Sequence, residues 1–352
     1  MNRRHFLTLT AAGAAAATQA AEAPATGTRG VVLYPFDLSL ADWPERAAKA
    51  GVNTIALHAA RRFDVLQQFI EGTKGQAFLE QCRRLNLTVE YELHAMSELL
   101  SRELYYQDPT LFRMDEHGVR NADANCNPLS PTALDLMAEN AVRWAKIFAP
   151  TSQRFFYWPD DGARWCQAAL AEGYNASDQA LLVENHLLRA LRQHVSPQAT
   201  LSHLCYQPTL IPPSRVRPEP GIFLEFAPIA RDYRHALNET ETKSKTVPSD
   251  QSEPATNGGY LELLKQNLAL FGTEHAQALE YWLDVSMFSK WSRPAVRLPW
   301  NADVCRADLA TYRELGIRNV TTFATYLDAD YVQRHGDFQS ALNEYGAAFP
   351  KP

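Results

Sequence analysis

Two adjacent carboxylates, Asp160 and Asp161, stand at the end of the aromatic run Phe155-Phe-Tyr-Trp158 and are followed by Gly162. Carboxyl groups that share a site cannot ionise independently, because charge on one disfavours charge on the other. One acid is thereby kept protonated for proton donation near neutral pH. Such a pair suits glycoside hydrolysis, in which one group protonates the leaving oxygen and another meets the positive charge at the anomeric carbon. Neighbouring residues of an extended chain project to opposite sides, so both acids reach one mouth only if the backbone turns there. Pro159 and Gly162 permit that turn, although Pro, Asp and Gly also make turns with no chemistry attached.

The aromatic run has the composition of a strand buried on both faces, as in a parallel sheet. Apolar runs at 31–37, 53–59, 87–95, 200–206, 222–227, 278–285 and 319–327 predict seven further strands. Helical spacing predicts helices at 43–50, closed by Gly51, and at 64–85, with an interruption near Gly72 and Gly75. Further helices are predicted at 131–148, from a Ser177-Asp178 cap to 194, and at 260–271, 302–315 and 331–347. Eight strands with mostly helical connections make a (β/α)8 TIM-type barrel, α/β in class, as a single domain over 29–352.

All strands of such a barrel point their carboxyl ends to one face, and that face carries the active site. Those ends read Asp37, His58, His94, Asp160, Asp161, Tyr206, Glu225, Asp284, Tyr326 and Asp328. Asp161 and Asp160 are the expected catalytic residues, with His94, Tyr206, Glu225, Arg231, Trp282, Asp284 and Tyr326 as substrate-binding residues. A second arrangement places acid and base on separate strands, Asp161 with Glu225 or Asp284. In its uronidase form Arg231 holds the sugar carboxylate. A third is a glycan-binding barrel without catalysis. Trp158, Trp165, Trp282, Trp291 and Trp300 lie at or near strand ends, where flat rings stack on sugars; at least half of them are expected to serve packing instead. Two long segments, 96–130 and 235–259, emerge on the same face, the second polar and expected to be a solvated, mobile loop.

Composition excludes several classes of partner. A net charge of −6, from 34 basic and 40 acidic residues, offers no positive field for a phosphate backbone, so nucleic acid is not expected. No H-x-H or H-E-x-x-H spacing accompanies His58 and His94, so neither a metal nor another cofactor is expected. The five cysteines are an odd number without a close pair and are expected to be buried; Cys126 and Cys166 are the two that could bridge. Residues 1–28 have the layout of an export signal of twin-arginine type, with Arg3-Arg4 ahead of Phe6-Leu7 and an Ala-rich stretch. The expected product is a soluble periplasmic or secreted protein with a carbohydrate substrate and no membrane contact after signal cleavage, its oligomeric state left open.

Several short motifs occur together in order: Phe112 to Arg120 with its His117-Gly118 turn, Trp158-Pro-Asp-Asp-Gly162 followed by Cys166, and Ser177-Asp178 before a helix with Glu184-Asn185. Tyr206 and Ala227-Pro-Ile-Ala-Arg231 complete the set. In these the chain, from about residue 50 onward, resembles a family of barrel domains of formerly unknown function. From that family glycoside hydrolase family 163, endo-β-N-acetylglucosaminidases acting on N-glycans, was defined. The resemblance implies substrate-assisted, retaining catalysis on 2-acetamido sugars, in which Asp160 orients the acetamido group, Asp161 is the acid/base and Tyr206 is a partner of the acetamido group. Glycosidases of this type often carry Glu at the second position, where this chain has Asp161.

Overall fold

The computed structural model describes residues 27–162, 164–244 and 253–350. Eight strands, β1 (Arg29–Leu33), β2 (Thr54–Ala59), β3 (Thr88–His94), β4 (Arg154–Trp158), β5 (Thr200–Cys205), β6 (Ile222–Phe226), β7 (Gln277–Glu280) and β8 (Asn319–Phe323), form a closed barrel in sequence order. Every neighbouring pair is parallel, including β8 with β1. Parallel strands require crossovers, and helices supply most of them on the outside, as the sequence pattern predicts.

Alternation along each strand sorts side chains between the outer helical layer and the barrel interior. On β4, Tyr157 points outward and its hydroxyl donates to Ala141 O at 3.3 Å, in the helix Pro131–Ile147. Phe156 and Trp158 point inward, Phe156 edge-on to Phe223 at 5.6 Å between centroids. The interior is unusually polar for a barrel core. Glu90 and Glu92 on β3, Arg154 at the start of β4, Glu225 on β6 and Gln277 on β7 form one hydrogen-bonded network. Arg154 donates to Gln277 Oε1 (2.8 Å) and Thr28 Oγ1 (3.2 Å), lies 3.7 Å from Glu90 and stacks over Phe223 at 4.5 Å. The Gln277 amide nitrogen lies 2.9 Å from Glu225 and 3.2 Å from Glu92. Burial pushes both the Glu92 and the Glu225 carboxyls up, and the charge of Glu225 pushes Glu92 further. The network therefore holds with fewer full charges than its composition suggests.

Several element boundaries differ from the sequence pattern. β7 ends at Glu280 rather than at 285, and β8 at Phe323 rather than at 327. The interruption expected near Gly72 in the stretch 64–85 is present and parts two helices, Phe63–Glu71 and Thr73–Arg84. The last helix is also two, Ala329–His335 and Gln339–Ala347, because Gly336 takes a left-handed φ of 84° that ends the first. Asn175, not Ser177-Asp178, caps the helix Ala176–His194; Asp178 is the third helical residue and completes a capping box with Asn175.

Residues 1–26 of the expected export segment lie outside the described residues. Gly27 and Thr28 belong to the barrel, through Asn53 Nδ2 to Gly27 O (2.9 Å) and Thr28 N to Asn319 Oδ1 (3.1 Å). Residues 245–252 of the polar segment also lie outside. Its described flanks are docked at Leu237, whose N donates to Asp308 Oδ1 at 2.6 Å, and at Asn257, whose Nδ2 donates to Ala236 O at 2.9 Å, while Asn238 to Glu241 between them are exposed as expected. All five cysteines are buried free thiols, so Cys126 and Cys166 do not bridge.

Asp37 staples the loop after β1 to the loop after β8. It sits in a short 3₁₀ turn, Pro35–Ser39, and its two oxygens accept Tyr34 N (2.8 Å) and Tyr326 N (2.9 Å). Burial raises its carboxyl to about 7, against the lowering effect of those two donors. A carboxyl whose folded value lies above its unfolded value favours folding most in its protonated form. Its stabilising effect is complete below about pH 4 and is lost as the pH rises through about 7.

Two stability measurements follow from these buried groups. Arg154→Met removes the cation from an interior that keeps Glu90, Gln277 and Thr28, and should cost about 3–5 kcal/mol in urea denaturation. A loss below 1 kcal/mol would mean that the remaining groups satisfy one another. For Asp37, raising the pH from 5 to 8 should lower wild-type stability by about 1–3 kcal/mol relative to Asp37→Asn, which cannot ionise. Parallel pH curves for the two proteins would show that Asp37 does not titrate in this range.

Candidate active site

A cavity of about 610 Å³ opens at the carboxyl ends of the strands, within the size range of small-molecule sites. Its floor is Trp158, fully buried at the end of β4, whose indole N–H donates to Glu225 Oε2 at 2.7 Å. Leu204, Leu279 and Phe323 complete the apolar base. Three carboxyl groups line the cavity: Asp37 after β1, whose two oxygens are taken by Tyr34 N and Tyr326 N, and, from strands three apart around the ring, Asp161 after β4 and Asp284 after β7.

Asp284 is held at one oxygen and open at the other. Its Oδ1 accepts Ser286 Oγ (2.6 Å), Met287 N (3.2 Å) and Thr325 Oγ1, while Oδ2 has no hydrogen-bond partner among the described residues. Burial raises the Asp284 carboxyl above the ordinary range, and the donors at Oδ1 oppose that rise. Asp161 is exposed and its Oδ1 accepts the Tyr206 hydroxyl at 3.1 Å; Tyr206 in turn accepts Gln207 Nε2 at 3.0 Å. Burial raises the phenols of Tyr34 and Tyr281 far above their usual value, and the charges of both Asp161 and Asp284 add to it in each case. Both tyrosines line the cavity and remain neutral hydroxyl groups within reach of the field of both acids.

The histidines have fixed tautomers. His58 Nδ1 faces Glu92 O at 2.6 Å and His94 Nδ1 faces Pro159 O, and a carbonyl oxygen can only accept, so each Nδ1 carries the proton. Burial and the neighbouring His94 push His58 down to about 3, which keeps it neutral.

The predicted site residues separate into two groups. Asp161, His94, Tyr206, Asp284 and Tyr326 line the cavity, together with the strand-end residues Asp37 and His58. Asp160, Glu225, Arg231 and Trp282 do not.

Asp160 is buried and its carboxylate accepts Ser97 N (3.0 Å), Ser97 Oγ (2.6 Å) and Asn125 N (2.8 Å), while Asn125 Oδ1 accepts Asp160 N (3.0 Å). It pins both ends of the long connection after β3. The turn that was to bring the two acids together is made at Gly162 (φ 62°), after both of them, and leaves them divergent. Glu225 lies below the floor, bonded to Trp158 and Gln277.

Arg231 is a buried structural cation. Its guanidinium pairs with Asp308 and with Glu280 (3.2 Å) and donates to His235 O (3.1 Å). Trp282 faces the same cluster, with its Nε1 donating to Asp308 Oδ2 at 2.9 Å. Of the five strand-end tryptophans, Trp158 and Trp291 line the cavity.

Several lining residues escaped the sequence pattern. Tyr34 and Phe36 directly follow β1, and Tyr281 directly follows β7, so an accurate strand end is the signal that finds them. Arg293 is the guanidinium of the rim, paired with the fully buried Asp328 and stacked over Phe36 (4.9 Å) and Tyr326 (4.1 Å). Among the described residues no three His, Cys, Asp or Glu side chains converge in a metal-holding group, and no helix is long and apolar enough to cross a membrane.

No curated protein sequence matches the chain. Among solved structures, a β-galactosidase from the psychrophilic Marinomonas ef1 superposes with a TM-score of 0.53 at 12% identity, over 91% of this chain and 58% of the galactosidase. An exo-β-1,4-mannosidase from Opitutaceae bacterium strain TAV5 gives 0.48 at 14% identity, over 91% and 59%. A catalytic module of the pneumococcal exo-β-D-N-acetylglucosaminidase StrH gives 0.47 at 9% identity, over 92% and 84%. The chain thus spans under two thirds of the galactosidase and the mannosidase, and the likeness to the galactosidase is one of fold. One protein-family profile, that of a domain of unknown function designated DUF4838, matches residues 21–251, about two thirds of the sequence, and the chain belongs to that family.

Proposed function

We propose that this barrel is a glycoside hydrolase in which Asp161 and Asp284 act as a pair across the cavity. The observation that carries the reading is their placement: of the three acids lining the cavity Asp37 has both oxygens held by backbone N–H groups, and the other two come from separate strands, one exposed and one anchored. Exposure suits Asp161 to the general acid, which must take up a proton from solvent and deliver it to the leaving oxygen. Anchoring suits Asp284 to the group that meets the anomeric carbon, since donors at Oδ1 fix the carboxylate and leave Oδ2 to the sugar. Tyr206 steadies Asp161, and Tyr34 and Tyr281 add neutral hydroxyls to the cavity lining. Because burial raises Asp284, its ionised form is lost at a higher pH than for a free carboxyl, and the acid limb of activity should follow.

A second reading rests on one contact. The Tyr206 hydroxyl and Asp161 lie side by side, as substrate-assisted hydrolysis of a 2-acetamido sugar requires of its acid and its acetamido partner. The resemblance to glycoside hydrolase family 163 favours it; the engagement of Asp160 with Ser97 and Asn125 weighs against it. The proposal places the enzyme in the periplasm or outside the cell, on the strength of the Arg3-Arg4 export pattern.

A panel of chromogenic glycosides, including N-acetylglucosaminides, tests both readings. Asp161→Asn and Asp284→Asn should each lower kcat by ~10²–10⁴-fold. The acid limb of kcat/KM should lie above the ordinary carboxyl value of about 4. It should move further up in Thr325→Val, which removes one donor to Asp284. If Asp284→Asn keeps a tenth or more of the wild-type turnover while Asp161→Asn does not, the across-cavity pair is wrong and the substrate-assisted reading stands.

A further inference from the structure

The cavity wall beside the two acids carries two imidazoles that the chemistry above does not use. His58, at the end of β2, and His94, at the end of β3, have ring centroids 5.5 Å apart and both pack on Trp158, at 5.4 and 5.1 Å. Each is committed at Nδ1 to a backbone carbonyl, and each Nε2 is without a hydrogen-bond partner among the described residues. Where both imidazoles are neutral and carry their proton at Nδ1, each offers only a lone pair at Nε2, and this stretch of wall presents two acceptors and no donor. What it binds must bring the hydrogens.

We propose that His58 and His94 are the sugar-selecting edge of the site, taking two adjacent hydroxyl groups of a neutral sugar and turning away a sugar acid. The inference rests on the glycoside hydrolase reading and names its substrate class. Ring centres 5.5 Å apart suit hydroxyls on neighbouring carbons of one pyranose, each reaching about 2.8 Å to its acceptor. A carboxylate there would set lone pairs against lone pairs.

The remaining charge points the same way. The acids Asp37, Asp161 and Asp284 line the cavity, and the rim guanidinium of Arg293 is already paired with Asp328 and lies 4.0 Å from Asp330. The cation expected for a uronate, Arg231, is buried against Asp308 and Glu280. The tyrosine hydroxyls of the lining remain as donors for the sugar's other oxygens.

The test reads the two nitrogens directly. In histidine-labelled ¹⁵N protein, with His58→Asn and His94→Phe to assign the signals, both rings should show the Nδ1–H tautomer with an unbonded Nε2. Titration with D-glucose, D-galactose, D-mannose, N-acetylglucosamine and D-glucuronate should shift both Nε2 signals saturably with at least one of the three neutral hexoses. Glucuronate should leave them in place. In His94→Phe, which keeps a flat ring, the His58 shift should need at least tenfold more of that hexose.

An Nε2–H tautomer, failure of all three hexoses, or a stronger response to glucuronate than to any of them overturns the proposal. In Asp161→Asn both Nε2 signals should still shift with the same hexose although turnover falls. Failure of the hydrolase reading therefore shows in kcat, and failure of this one in the nitrogen shifts.

Discussion

The hydrogen bond from the Trp158 indole to Glu225 fixes the floor on which the rest of the site is laid. An indole N–H buried without an acceptor would cost about 1–3 kcal/mol, so the ring turns the way its acceptor lies. Glu225 is placed by Gln277, and Gln277 by Arg154 near the opposite end of the barrel. His58 and His94 rest on the upper side of the same indole. Orientation at the mouth is thus inherited from a polar network in the barrel interior, where a purely apolar filling would leave the tryptophan free to settle in more than one way.

The fold was legible because its signal is repeated. Each apolar run followed by helical spacing supports the same barrel, and an error of a few residues in one element leaves the others intact. The ends of β7 and β8 were misread for a physical reason. Tyr281-Trp-Leu283 and Ala324 to Leu327 stay largely apolar beyond the last paired residue, because they pack under neighbouring elements, and composition cannot say where backbone pairing stops.

The site was legible where a strand end and an acid coincide, at Asp161 and Asp284. It was illegible where the answer depends on distant partners. Arg231 resembles a mouth cation in sequence, yet the carboxylates that bury it, Glu280 and Asp308, lie 49 and 77 residues away. Asp160 and Asp161 are neighbours of one type, and only the positions of Ser97 and Asn125 show which of them is spoken for. Each long segment is in this way stapled by a buried charge that its own sequence does not announce.

Arg293 joins three loops at once. It stacks on Phe36 from the loop after β1 and on Tyr326 from the loop after β8, while its own loop follows β7 and its charge is met by Asp328. A rim tied at one cation cannot flex piecemeal. A ligand entering there would meet a surface with little conformational entropy left to lose, so recognition should resemble the filling of a mould more than the closing of a hand.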